Sequence, residues 1–280
     1  MELQIASDIH TEFWGAKAKF NFIKPCAKWL HLSGDIGCCA DIEDFNVFKR
    51  FILELLPNFE HISYVAGNHE YYFNPSVKKQ VSADNTMNAV NKRIKDFFKQ
   101  TSPKLHFLNN SSMKMVINNK KYLVAGTTLW TWVPPARRAS IISEMNDYQY
   151  IYLDDVAGPR RINAEDISNL HIKCVNFIKN QINKAKKEDA LLIIFTHHKP
   201  YIAASHDPTS LDCAYESNLA KLFSPRILLW GYGHTHVADC TNINGTLLYS
   251  NPKGYPSQKT RFKRDDVIAI NGNVVKYTSV

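Results

Sequence analysis

The chain has 280 residues, 45% hydrophobic and 21% charged, with 34 basic against 26 acidic side chains and a net charge of +8. This is room for one large domain or two small ones in an ordinary globular composition, which excludes a disordered or collagen-like chain. The positive balance favours anionic partners such as phosphate esters or nucleic acid, and it fits equally a soluble surface of scattered lysines.

No window approaches the roughly 18 apolar residues that span a bilayer, so no membrane association is expected. The start of the chain lacks a basic stretch followed by a long apolar run, so no secretory leader is read there. Six cysteines (Cys26, Cys38, Cys39, Cys174, Cys213 and Cys240) include no Cys-x-x-Cys pair. Reduced, partly buried thiols in a cytoplasmic setting are the expectation.

In chain order, Leu3-Gln4-Ile5-Ala6 and Trp29-Leu30-His31-Leu32 read as short buried strands. Residues 42–56 carry a helical stripe at Phe45, Phe48, Ile52 and Leu55 that Pro57-Asn58 ends. Ile62-Ser63-Tyr64-Val65 reads as a strand, and residues 84–100 as a helix with Met87, Val90, Ile94, Phe97 and Phe98 on one face. Strands follow at 105–108, 113–117 and 122–125, the last two joined by an Asn118-Asn119 hairpin turn. Residues 128–163, with Pro134-Pro135 and Gly158-Pro159, read as a long loop or lid. A helix over 164–187 precedes strands at 191–195, 227–231, 247–250, 267–270 and 274–277, with Asn271-Gly272 turning between the last two. Strands and helices in this order predict an α/β chain, one domain over 1–280 with two sheets face to face and helices outside.

Five polar clusters each close an apolar run: Asp8-Ile9-His10, Gly34-Asp35, Gly67-Asn68-His69-Glu70, Thr196-His197-His198 and Gly233-His234-Thr235-His236. Strands side by side bring their C-terminal ends to one edge, where open α/β sheets hold ligands. Asp, Asn and His without Cys suit a hydrolytic centre rather than a structural zinc knot. One carboxylate can bridge two ions roughly 3.5–4 Å apart. Histidines and aspartates at i and i+2 reach one site where an extended strand ends or a turn begins.

These five motifs, spread over residues 5–236, resemble the calcineurin-like metallophosphoesterase superfamily. The resemblance implies a four-layer α/β/β/α sandwich, two packed mixed sheets flanked by helices, with a dinuclear site between the sheets. It implies that Asp8, His10, Asp35 and His236 hold one metal, and that Asp35, as the bridge, holds the other with Asn68, His197 and His234. His69 then donates a proton to the leaving oxygen or steadies the transition-state charge. Between His197 and His198 the sequence leaves the choice open, with His197 favoured as the first residue after the strand and Thr196. The cofactors implied are two divalent ions (Mn, Fe, Zn or Mg), with Mn expected to support activity.

Locally, Gly67 to Tyr72, Thr127-Thr128-Leu129-Trp130 and Asn251-Pro252-Lys253-Gly254-Tyr255 are similar to a single-domain branch found in bacteria and viruses. Ile36-Gly37 follows Gly34-Asp35, and Ala66 precedes Gly67-Asn68, so the chain departs from the protein Ser/Thr phosphatase branch. Substrate contacts are expected from His198, His206, Lys253 and the arginines Arg137, Arg138, Arg160 and Arg161, and the four arginines read equally as part of a solvated loop. His31, His61, His106 and His171 read as structural residues. The predicted activity is metal-dependent hydrolysis of phosphomonoesters or small phosphodiesters, cyclic nucleotides included, by in-line attack of a hydroxide bridging the metals. A metal-dependent nuclease is the alternative enzyme, and a non-catalytic scaffold of the same fold the alternative class.

Overall fold

The computed structural model describes residues 1–15, 19–77, 80–202, 207 and 211–278. In chain order the elements are β1 (Glu2–Ala6), β2 (Trp29–Ser33), α1 (Ile42–Leu55), β3 (His61–Val65), α2 (Met87–Thr101), β4 (Leu105–Phe107), β5 (Ser111–Ile117) and β6 (Lys120–Thr127). Then come α3 (Arg138–Glu144), α4 (Asp147–Tyr150), β7 (Tyr152–Leu153), β8 (Arg160–Arg161), α5 (Ala164–Lys187) and β9 (Leu191–Thr196). The last are β10 (Ile227–Tyr232), β11 (Asp239–Ile243), β12 (Thr246–Ser250), β13 (Val267–Asn271) and β14 (Val274–Thr278).

Two mixed six-stranded sheets result, ordered β14-β13-β1-β2-β3-β4 and β11-β12-β10-β9-β6-β5. Within the first, β1 to β4 run parallel. Within the second, β12, β10, β9 and β6 do. The alternation of side chains along each strand explains the layering. Leu3 and Ile5 of β1 share an inner core with Val124, Ile193, Phe195 and Leu229 of the other sheet. On the far side of the first sheet Tyr64 meets Phe48 of α1 and Phe98 of α2, with ring centroids 5.5 Å apart in both pairs. α5 covers the second sheet, its buried stripe being Ile167, Cys174 and Ile178.

Local chemistry sets the ends. Asp41 caps α1 by accepting from the Glu43 and Asp44 amides. Asn163 and Asp166 form a capping box at the start of α5, and Lys184, Lys186 and Lys187 occupy its last turn. Asn118 and Asn119, at φ 49° and 61°, make the β5–β6 turn. Three expectations shift. Residues Ala83–Asn85 form a separate 3₁₀ turn, so α2 starts only after the Thr86 cap. Asn271 pairs with Val274, so the last hairpin turns at Gly272-Asn273. Residues 128–163 hold α3, α4 and the β7–β8 ribbon in place of an unbroken loop.

The structural histidines sit inside this frame. His31 stacks on Phe195 with centroids 3.5 Å apart and bonds Ser63 Oγ at 2.8 Å. His61 meets His106, and His171 bonds the Trp130 carbonyl. Among the described residues no helix is long and apolar enough to cross a membrane.

Candidate metal centre

Each motif lies just past a parallel strand: Asp8 and His10 after β1, Asp35 after β2, Asn68 and His69 after β3, His197 after β9, and His234 and His236 after β10. The backbone there is a tight turn that begins where the extended strand ends. Asp8, His10, Asp35, His234 and His236 all sit at positive φ, between 51° and 69°. That left-handed region is costly for a side-chain-bearing residue, and it is stored where surrounding structure enforces it. The enforcement is visible in loop-to-loop bonds: Asp8 N donates to Gly34 O at 3.0 Å, His10 N to Asp35 O at 3.0 Å, and Gly233 N to His197 O at 2.9 Å. The tight turns carry i and i+2 side chains to one side.

The first group of donors is Asp8, His10 and His236. His10 Nδ1 donates to Glu12 Oε1 at 3.1 Å and His236 Nδ1 to Gln258 Oε1 at 2.6 Å. Those partners accept only, so in each neutral ring Nε2 is the lone-pair nitrogen. The two Nε2 atoms face each other at 3.2 Å, with Asp8 Oδ1 at 3.4 Å from that of His236. The second group is Asp35, His197 and His234. His197 Nδ1 donates to Ser33 O at 2.8 Å, leaving Nε2 to face Asn68 Oδ1 at 3.1 Å, His234 Nδ1 at 3.1 Å and Asp35 Oδ2 at 3.4 Å. Acceptors converging on one buried point demand a cation, and this O/N set fits divalent ions. A proton is the other answer. Burial opposes charge on His197, but Asp35 outweighs it and lifts the imidazole to about 9. Asp35 also gathers with His10 and His69, which sets it between the two groups.

The family model for calcineurin-like phosphoesterases matches residues 3–238. The chain belongs to that family. It is a metal-dependent phosphoric ester hydrolase. This calcineurin-like phosphoesterase is 27% identical over 279 residues, 93% of each chain, to the uncharacterized protein L509 of Acanthamoeba polyphaga mimivirus. Its fold is similar to that of a phosphopantetheinyl hydrolase from Mycobacterium tuberculosis, with a TM-score of 0.65 at 15% identity over 99% of this chain and 95% of that one. It is also similar to TT1561 of Thermus thermophilus, with a TM-score of 0.51 at 12% identity over 99% and 97%.

Of the two adjacent histidines, His197 is the one whose nitrogen meets the other donors. His198 is buried beneath the phosphoesterase site, its Nδ1 on Thr128 O at 3.2 Å and its ring 4.1 Å from that of His234. Burial, and then the charge of His197, lower it to about 3, which keeps the ring that packs on His234 neutral. Arg160 pairs with Asp155 and forks onto Asp166 at 2.6 and 2.9 Å. Lys253 lies over the rings of Trp14 and Phe22, 5.1 and 5.6 Å from their centroids, and Arg137 belongs to the 3₁₀ turn Pro135–Arg137. None of these is among the described lining of the cavity over the candidate ligands. His206 falls outside the described residues.

Several residues of the site have no motif of their own. Glu12 Oε1 accepts from His10 and also from His69 Nδ1 at 3.0 Å, tying a candidate ligand to the candidate acid. Burial works against the Glu12 charge, but those two histidines hold it down at about 2. For His69 burial also opposes charge, yet Asp35 and Glu12 raise it to about 9. Asp147 accepts from Asn68 Nδ2 at 2.8 Å, which leaves Oδ1 of that amide turned to His197. Glu70 accepts the amides of Asp35, Ile36 and Gly67 at 3.0, 2.7 and 2.7 Å. Burial, then the nearby Asp35 charge, push Glu70 up to about 7.

This packing leaves no space at Gly67, where a Cβ would lie 2.2 Å from Asp35 Oδ1 and 2.7 Å from Asp35 N. Gly67→Ala should therefore lower stability by roughly 1–3 kcal/mol and displace the carboxylate. Thermal denaturation and turnover measured together test this, and wild-type turnover would show that Asp35 tolerates displacement.

Proposed function

We propose that this phosphoesterase hydrolyses phosphomonoesters or small phosphodiesters with two divalent ions, one at each donor group, and that the whole chain works as one domain. The observation that carries the reading is a cavity of about 270 Å³ onto which Asp35, Asn68, His69, His234 and His236 all open. A space of that size holds a phosphoryl group with room to spare. Its described lining holds no Lys or Arg, so the phosphate charge would be met mainly by bound ions and His69. That favours a small ester over a nucleic acid, whose neighbouring phosphates call for basic side chains.

Two bound ions, manganese being the expected activator, supply Lewis acidity and a water that ionises near neutral pH. The chain's own residues do the rest. Asp8, His10 and His236 hold one position; Asn68, His197 and His234 the other; Asp35 faces both. His69, steadied through Nδ1 by Glu12, presents Nε2, 3.4 Å from Tyr255 OH, to the departing oxygen. There it hands over the proton that the alcohol requires.

A hydrolysis screen over monoesters, diesters, cyclic nucleotides and RNA tests the reading. Turnover of small esters should vanish with a chelator and return with Mn²⁺, leaving RNA intact. Preferred cleavage of RNA, or a protein that binds no divalent ion, would overturn it.

A further inference from the structure

A second cavity, about 800 Å³, adjoins the first and shares His69, Tyr72, Asn146 and Tyr255 with it. Its remaining walls include Phe13, Phe73, Tyr150 and Pro256. The rings come in contact pairs, Phe13 with Tyr255 at 5.4 Å and edge-on, Tyr72 with Tyr150 at 5.7 Å. Phe13 is 54% exposed and Val77, on the same rim, 74%. Large apolar side chains grouped beside a polar centre and left to water mark a surface that something covers.

Position says what covers it. An in-line displacement at phosphorus expels the leaving oxygen on the side away from the attacking one. His69, read above as the proton donor to that oxygen, stands on the sill between the cavities. The second cavity therefore lies where the organic part of the leaving group must go. Its volume has ample room for a fused or substituted ring, and it is the aromatic walls that reward a flat π-face over a flexible chain.

We propose that the Phe13–Tyr255 and Tyr72–Tyr150 pairs form a leaving-group subsite for a flat ring, making the substrate a phosphate ester of a nucleoside or an aryl-bearing alcohol. This rests on the phosphoesterase reading above and on His69 facing the leaving oxygen.

The test compares esters of similar leaving-group basicity: nucleoside 5′-monophosphates against ribose 5-phosphate, and benzyl against butyl phosphate, with the Mn²⁺-loaded full chain. The ring-bearing member of at least one pair should show roughly tenfold higher kcat/KM, and which pair does so separates a nucleobase from a simple aryl group. Phe13→Ala and Tyr150→Ala should each shrink that ratio, mainly through KM. Equal kcat/KM within both pairs, or variants that leave the ratio unchanged, would overturn the subsite. Calorimetry with free adenosine and benzyl alcohol needs no turnover. Binding that weakens in Phe13→Ala supports the subsite even if no ester is hydrolysed, a result that would sink only the catalytic reading. Absence of binding together with absence of turnover would overturn both.

Discussion

Asp35→Asn should lower turnover on the order of 10³-fold while leaving the fold in place. Asp35 Oδ1 accepts the His69 amide at 2.9 Å, and Oδ2 lies 3.4 Å from His197 Nε2. An amide of the same shape keeps both neighbours: its oxygen can accept from His69 N, and its NH₂ can donate to the His197 lone pair. What it loses is a charge and the lone pairs that would face two cations from one residue, which is the interaction that a dinuclear centre cannot replace. The variant should melt within a few degrees of the wild type yet carry less metal by elemental analysis. Wild-type turnover would remove Asp35 from between the two positions.

His69→Ala should behave differently. Its Nδ1 is bound to Glu12, and its atoms also gather with His10 and Asp35, so the structure brings His69 close enough to be either ligand or acid. The two roles predict opposite metal contents. As an acid, its removal costs a rate factor of about 10²–10⁴ for alkyl esters, with full metal loading and a much smaller loss for esters of acidic phenols. The leaving-group dependence should therefore steepen. A variant short of one metal ion per chain, with all esters slowed alike, would assign His69 to the ligands instead.

Much of this protein is legible along the chain wherever the determinant is local. α5 begins and ends at the predicted residues because a capping box, an apolar stripe and a basic last turn all fall within its 24 residues and the Asn163 cap before them. The motif aspartates and histidines announce themselves because each follows a short apolar strand. β11 is hidden because Asp239, Cys240, Thr241 and Asn242 form a polar edge strand with no alternation. Its one local signal is the Asn244-Gly245 turn, at φ 52° and 81°, between Ile243 and Thr246. Glu12, Asp147 and Tyr255 lie 57, 79 and 186 positions from their partners His69, Asn68 and His69, so no local pattern reports them. Arg160 reads along the chain equally as a phosphate contact or as part of a solvated loop, and Asp166, six residues on and part of the α5 capping box, is the anion it pairs with.

Each group of donors draws on both sheets. Asp8 and His10 leave the first sheet and His236 the second; Asp35 leaves the first, His197 and His234 the second. Neither the first hundred residues nor the last hundred can thus gather a complete set alone. The catalytic centre comes into being only when the two sheets close on the core of Leu3, Ile5, Ile193 and Phe195. An ion seated there ties the two halves of the chain together, so a chelator should loosen the seam between the sheets as well as stop the reaction.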